Sequence, residues 1–568
     1  MGAAVSRRQE ADAARREHMK RCRERRRLMR EAVRLRGHLA ASHAAYLRSL
    51  THAASALTRF AVGEPLPVSD HTPPAVIVHR PVVAPSTPPP LLRSIEQQRR
   101  AQEDGDHDLV GGAPSAVTRE EGGGEEMRMV VRHRSLAELA AGLEEYFLKA
   151  SVAGDSVSSL LEASNAEFKR GPSSILGALC CLSAPSVSHD RVDSSINGGQ
   201  RHSSILQQLL AWEKKLYREV KAKERLQVQH DKKLAELSDQ EYSRKIDVDV
   251  LKLKSAWEKA KAQLATASQA VDASSAAIAE LRDAHLARQL LGLCHATLDM
   301  WRAMRQSHEA QALIAQQLRG LSSRTSMDPT TDIHHEATRA LEAAMSSWRA
   351  ALGHLDKHHR DYVRTLHGWL TLTLQAPAPV ADGAEAAASP VVATELAAFV
   401  ERWGKALDRV HCADVVKSIK GFAAAVRSLY ALQSDELRVA RRVSQYSREL
   451  DRKSRMLRQV EKSYYDSYVP PVGLSLWHRG ARHWGDGGGM HAHDAQNEVA
   501  QRRDEIAACR RMVEDEMRKH AKAIDATRSA AVTGVQGKLP AVFQSMAVFS
   551  ASLAQALEAV CRHNAHVQ

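Results

Sequence analysis

Apolar residues along this chain recur at helical spacing, and the most regular run alternates steps of four and three: Ile246, Val250, Leu253, Trp257, Ala260, Leu264, Ala267, Val271, Ser274, Ile278 and Leu281. Such a pattern keeps one seam facing a partner helix and imposes a left-handed supercoil, so a coiled coil is predicted here. Leu341, Met345, Trp348, Leu352, Leu355, His359, Tyr362, Leu366 and Trp369 obey the same rule. A third seam, Cys22, Met29, Val33, Ala40, His43, Leu47, Leu50, Ala54 and Leu57, marks a helix over about 11–60 that ends before Pro65. No segment sustains the strict alternation of a half-buried strand. The expected fold is all-α, with long helices whose heptad seams pack as coiled coil or elongated bundle, joined by disordered linkers.

Proline, glycine and polar clusters divide the pattern. A basic N-terminal helical domain is expected over 1–62. A disordered linker follows over 63–130, where Ser86-Thr-Pro-Pro-Pro90 and Gly122-Gly-Gly124 bury too little apolar surface to offset ordering. A short helical segment over 131–170 and a second linker over 171–202 precede a coiled-coil-rich core over 203–376. Ser204-Ile-Leu-Gln207 has the form of a capping box, and no proline follows until Pro329. One helix of that length would run about 170 Å, so breaks are expected near 238–243 and 285–292. Asp328-Pro329 has the form of an N-cap with proline at the first helical position. A linker over 377–392, helices over 393–468, a Gly/His-rich loop over 469–494 and C-terminal helices over 495–568 complete the chain, the last helix restarting near Leu539.

Composition changes this picture in two ways. Aromatics make up only 4% of the residues, which favours helices packed through small side chains over one large core. The seven cysteines form no C-x-x-C pair and no framework, which fits a reduced intracellular compartment. No stretch approaches the roughly 18 apolar residues of a spanning helix, and no signal-peptide core follows the N-terminus, so neither membrane crossing nor secretion is expected.

Charge is concentrated at the N-terminus. Residues 1–36 hold thirteen Lys/Arg against five acids, in a chain whose net charge is +13. Arg7, Arg8, Arg15, Arg16, Lys20, Arg21, Arg23, Arg25, Arg26, Arg27 and Arg30 are the candidates for contact with an anionic membrane or with nucleic acid. The first six residues, Met-Gly-Ala-Ala-Val-Ser, fit the signal for N-myristoylation at Gly2. One acyl chain binds only marginally, and a polybasic patch is the second signal that stable anchoring needs. A solvated helix face is the plainer reading of the same charge.

Other candidate chemistry is sparse. His478, His483, His491, His493 and Asp494 match no compact zinc spacing, and the glycines among them lack the Lys-Ser/Thr of a phosphate loop. Cys180-Cys181 has no activating base nearby in sequence. Trp212, Trp257, Trp301, Trp348 and Trp369 fall mostly on seams, as do His43 and His359, where packing is the expected role. No catalytic spacing of nucleophile, base or paired carboxylates stands out, so neither an enzyme nor a cofactor is expected. A basic-zipper reading fails because no asparagine precedes Asn165 to read base edges, which argues against direct sequence-specific DNA binding.

Several runs carry a family resemblance. They are Met1-Gly2, Cys22-Arg-Glu-Arg, Glu31-Ala-Val-Arg-Leu-Arg, Leu39-Ala-Ala-Ser-His43, Tyr46-Leu-Arg-Ser-Leu50, Leu210-Ala-Trp-Glu-Lys-Lys-Leu-Tyr-Arg-Glu-Val-Lys221, Asp231-Lys-Lys, Leu281-Arg-Asp283, Met300-Trp-Arg-Ala-Met304, Leu539-Pro-Ala-Val-Phe-Gln544 and Phe549-Ser550. Together they resemble the plant proteins that join domains of unknown function 630 and 632, a group that includes nitrate regulatory and rolled-and-erect-leaf proteins. Members commonly begin Met-Gly-Cys, whereas this chain has Ala3, which removes a second acylation site and leaves more of any membrane contact to the basic helix. The resemblance implies a non-enzymatic regulator of development or nutrient signalling that works through protein partners, transcription factors among them. The expected protein is a scaffold on the cytoplasmic face of the plasma membrane, engaging anionic lipid and cortical signalling proteins; the alternative is a nuclear co-regulator bound to a transcription factor. The heptads fit pairing within one chain or in a homo-oligomer.

Overall fold

The computed structural model describes residues 2–79, 127–163, 201–243, 250–322, 328–374, 391–468 and 488–565. Its helices are α1 (Gly2–Gly63), α2 (Leu136–Val152), α3 (Asp155–Leu160), α4 (His202–Ser243), α5 (Val250–Glu280), α6 (Ala287–Gln316), α7 (Asp332–Leu374), α8 (Val391–Arg409), α9 (Ala413–Tyr468) and α10 (Gly488–Ala565). A π-helical turn, Leu281–Leu286, joins α5 to α6.

Seam residues decide the packing. α1 runs antiparallel to α7: Leu28 lies at Gly368, His38 at His358 and Phe60 at His334, a constant register along both helices. Met29, Leu50, Leu57 and Phe60 from α1 and Trp348, Tyr362 and Trp369 from α7 are fully buried in one core, to which α2, α6, α8 and parts of α4, α9 and α10 contribute. The basic N-terminal segment therefore runs along the body. Its inner face supplies core to it.

The coiled-coil seam at 250–281 finds its partner inside the chain. α4 and α5 form an antiparallel hairpin in which Glu219 meets Ser274, Lys223 Nζ donates to Ser268 at 2.8 Å and Trp257 Nε1 donates to His230 at 3.1 Å. Val271 and Ile278 are buried, Leu253, Trp257, Leu264 and Leu281 are half-buried, and Val250, at the open end, is exposed. Ile246 lies outside the described residues. α9 and α10 form a second such hairpin, tied by Arg503–Glu461 at 2.7 Å and Arg442–Glu516 at 3.0 Å.

Several expectations need correction. Inside the stretch read as linker, β1 (Ala75–His79) pairs antiparallel with β2 (Met127–Val131), Ala75 opposite Val131. Ala75 and Ile77 point inward while Val76 is exposed, an alternation only five residues long and too brief to register as a strand pattern. Of the other linker readings, 171–200 and 377–390 lie outside the described residues, as do 80–126 and Cys180-Cys181, while His202 and 391–392 are already helical in α4 and α8. α4 starts before Ser204, and its first turn is capped by Glu162, whose carboxylate accepts from Ser203 N at 2.8 Å and from Ser203 Oγ. Glu162 reaches it from the left-handed backbone region, φ 55°. At α7 the cap is Thr331, whose Oγ1 accepts from His334 N at 3.1 Å, not Asp328. No break occurs at 285–292: the π turn Leu281–Leu286 carries α5 directly into α6. α10 begins inside the stretch read as a loop and passes through Pro540 without stopping. Proline costs an interior helix about 3 kcal/mol, and buried Leu539, Val542 and Phe543 on either side outweigh it.

Buried imidazoles make this core sensitive to acid. His308 is fully buried; its Nδ1 donates to Gln311 Oε1 at 2.8 Å, and Gln311 donates to the Leu143 carbonyl at 3.0 Å. Burial pushes His308 down to about 4 and His359 to about 3, and lowers His43 and His202. The unfolded chain takes up protons on these rings below about pH 6.5 while the folded chain does not. Stability from these rings is therefore full above pH 6.5 and lost as pH falls below it, toward pH 4 by about 1.4 kcal/mol per pH unit for each of His308 and His359. The urea midpoint should drop between pH 7 and pH 5, and His359→Phe should flatten that drop. A midpoint equal at both pH values would contradict the neutral, buried state of these rings.

Candidate anion-binding surface

α1 sorts its basic residues by face. Positions seven and four apart share a face, and Arg16, Lys20, Arg23, Arg27, Arg30 and Arg34 step four-three-four-three-four along the outward one, all exposed, over about 27 Å. Glu17, Glu24 and Glu31 recur every seventh residue beside them and pair with Lys20 at 3.7 Å, Arg27 at 2.6 Å and Arg34. The hydrogen bond from Arg27 holds Glu24 below the usual carboxylate range, and that from Arg34 does the same for Glu31.

The inward residues do other work, which corrects their reading as surface contacts. Arg25 donates through Nε at 3.0 Å and Nη2 at 2.8 Å to Glu213 of α4, a carboxylate with no exposure that also accepts from Trp369 Nε1 at 2.9 Å. Arg15 reaches Asp231 of α4 at 3.0 Å, and Arg36 donates to the Leu161 carbonyl at 2.8 Å. These three residues sit on the side of α1 that meets the body. The helical period separates their roles from those of their neighbours. Arg21 is half-buried and takes part in contacts of its own. Gly2, Arg7 and Arg8 belong to the first turns of α1, where side chains are outside the described residues.

α4 supplies a second stripe that the sequence reading missed. Lys214, Arg218, Lys221 and Arg225 step four-three-four and are all exposed. Tyr217 links the two stripes: the Arg26 guanidinium stands 4.2 Å above its ring, and Arg23, then Lys221 and Arg26, draw its phenol below its ordinary range. The signal for this stripe was the same four-three spacing, applied to charge instead of apolar residues. Ten outward cations on two adjoining helices, with guanidinium forks among them, can hold phosphate groups of an extended anionic surface.

Residues 1–64 match the family described as protein of unknown function DUF630, and residues 136–428 match protein of unknown function DUF632. The chain belongs to the plant DUF630/DUF632 family. It is 41% identical over 462 residues to the protein Rolling and Erect Leaf 2 of Oryza sativa subsp. japonica, covering 78% of this chain and 59% of that protein. It is 32% identical over 462 residues to the protein Altered Phosphate Starvation Response 1 of Arabidopsis thaliana, covering 77% of this chain and 68% of that one. The chain thus spans well under two thirds of the rice relative. The nutrient in the Arabidopsis name is phosphate, where the resemblance had implied nitrate. No solved structure matches.

The runs that marked the DUF630/DUF632 resemblance now have physical roles. In Trp212-Glu-Lys-Lys-Leu-Tyr217, Glu213 and Leu216 are buried toward α1 and α7, Lys214 joins the outward stripe and Tyr217 bridges to α1. In Leu281-Arg-Asp283 the π turn carries Arg282, 4% exposed, into the body, where Asp283 accepts from it at 2.7 Å and Thr373 at 3.1 Å. Among the described residues there is no metal-binding cluster of His, Cys, Asp or Glu, and no helix long and apolar enough to cross a membrane. Of the Gly/His-rich stretch, 469–487 lies outside the described residues, and His491, His493 and Asp494 belong to the first turns of α10, without described side chains.

Proposed function

We propose that this chain is a non-enzymatic regulatory scaffold of plant development or nutrient response, reversibly held at the cytoplasmic face of the plasma membrane. The cationic face shared by α1 and α4 lies on anionic headgroups, an acyl chain on Gly2 adds hydrophobic anchoring, and the helical hairpins meet partner proteins. The observation that carries this reading is the pair of exposed stripes joined at Tyr217. The printed names of the two relatives, one for leaf form and one for phosphate starvation, support the regulatory setting.

Each basic residue near an anionic leaflet contributes about 1 kcal/mol, so Arg16→Gln, Arg23→Gln and Arg30→Gln together should weaken binding to phosphatidylserine vesicles by about 100-fold. Raising salt should do the same to the unaltered chain. Binding to phosphatidylserine vesicles that survives the triple substitution undiminished would overturn the electrostatic part. In cells, a C-terminal tag on the unaltered chain and on Gly2→Ala should show membrane retention for the first and release for the second. Nuclear localisation of both would put the co-regulator reading in its place.

A further inference from the structure

Cys561, in the last turns of α10, and Cys294 of α6 face each other with sulfurs 3.9 Å apart, 267 positions apart in sequence. His295 stands beside them. Its Nδ1 donates to the Leu291 carbonyl at 2.9 Å, which leaves Nε2 as the nitrogen that can donate to the Cys561 sulfur. Arg302 adds positive charge from two turns further along α6, anchored to Glu558 at 3.0 Å, and Asp299 faces His295 from the same helix. Cys294 is fully buried and Cys561 is half-buried, so Cys561 is the more accessible of the two.

We propose that Cys561 and Cys294 are a hydroperoxide-sensitive dithiol, with Cys561 the attacking sulfur, Cys294 the resolving sulfur and His295 the proton donor. The protonation states suit these roles. The hydrogen bond from Cys294, with His295 and Arg302, lowers Cys561, while the same contact and burial raise Cys294. The contact with Cys561 raises His295 to about 8, which favours the thiolate–imidazolium form of the pair. Burial drives the thiols of Cys22 and Cys412 the opposite way, which leaves them weakly reactive.

The chemistry closes. The Cys561 thiolate attacks the peroxide, an S–O bond forms as O–O breaks, and the leaving oxygen takes the His295 proton as water. Cys294 then attacks the Cys561 sulfenic sulfur, S–S forms as S–O breaks, and the thiol proton leaves with the second oxygen as water. Two thiols lose two electrons and the peroxide gains them. The product staples the end of α10 to α6, and cytosolic thiol reductants reopen it.

Hydrogen peroxide added to the reduced full chain at neutral pH should yield a cross-linked Cys294–Cys561 peptide on non-reducing mapping. Cys294→Ser should leave a sulfenic acid on Cys561 that dimedone traps, and Cys561→Ser should yield neither product. His295→Gln should slow cross-linking by about tenfold or more while leaving the helical circular dichroism unchanged. The proposal is overturned if no linked peptide forms in the folded chain, if Cys561 reacts with peroxide no faster than Cys412, or if His295→Gln leaves the rate unchanged. Should Cys294→Ser fail to fold, the unaltered chain and His295→Gln decide the matter.

Discussion

Glu213→Ala should destabilise the fold by about 3 to 5 kcal/mol. The carboxylate is fully buried, and its Oε1 alone holds the Arg25 guanidinium and the Trp369 indole N–H, joining α1, α4 and α7 at one atom. Truncation leaves a guanidinium that is only 13% exposed without counter-charge, and an indole donor without acceptor. Arg25→Ala should cost a similar amount for the converse reason, whereas Arg23→Ala, two residues away on the outward face, should leave stability within about 0.5 kcal/mol. Replacing both partners with Leu and Met should recover much of the loss, because a desolvated ion pair contributes little net stability over apolar packing. Urea unfolding followed by circular dichroism reads all four variants. Equal midpoints for Arg23→Ala and Arg25→Ala would sink the division of α1 into a structural and a contact face.

A second large loss, again about 3 to 5 kcal/mol, is expected from Glu64→Ala. Glu64 follows the end of α1, has no exposure, and accepts from His334 Nε2 at 2.8 Å and from Arg528 Nη1 at 2.8 Å. Arg528 also donates to the Asp328 carbonyl at 2.7 Å, so one carboxylate ties the end of α1, the entry to α7 and the middle of α10. Gly63 permits the close approach, since a Cβ there would collide with the His334 ring. Hydrogen exchange should localise the damage, with protection lost in the last turns of α1 and around Arg528, while the α4–α5 hairpin keeps its protection. Unchanged exchange at those turns would mean that the ion bridge does not hold them.

The Arg23 and Arg25 stability predictions and the vesicle prediction concern neighbouring residues of one basic run, and the sequence alone did not separate them. Arg23, Arg25 and Arg26 are consecutive or nearly so in a polybasic stretch, and composition treats them alike. The helical period assigns them faces only once one face is known to be buried. The apolar seam through Cys22 and Met29 marks that face, but it does not say that Glu213 waits opposite Arg25, because no local rule ties residue 25 to residue 213. The α4 stripe was legible in principle. Lys214, Arg218, Lys221 and Arg225 repeat at four-three spacing, the same period that marks the apolar seams. The dithiol was beyond reach: residues 294 and 561 share no motif and meet through the packing of α10 on α6.

What the chain determined by itself is the class of structure and its seams. Apolar residues at four-three spacing hold one face of each helix away from water, a local consequence of 3.6 residues per turn, so the all-α fold and the buried lines of α1 and α7 could be read directly. What only the tertiary structure decided is which seams meet. Antiparallel pairing within the chain and pairing between chains bury the same residues, and the choice rests on connections and on long-range contacts such as Glu213 with Arg25 and Glu64 with Arg528. Helix ends were decided the same way. Glu162 caps α4 from another element, and Pro540 is carried through α10 because burial of its neighbours exceeds the cost of one lost hydrogen bond. Local propensity sets a free-energy scale of about 1 to 3 kcal/mol per position, and packing across the core exceeds it wherever the two disagree.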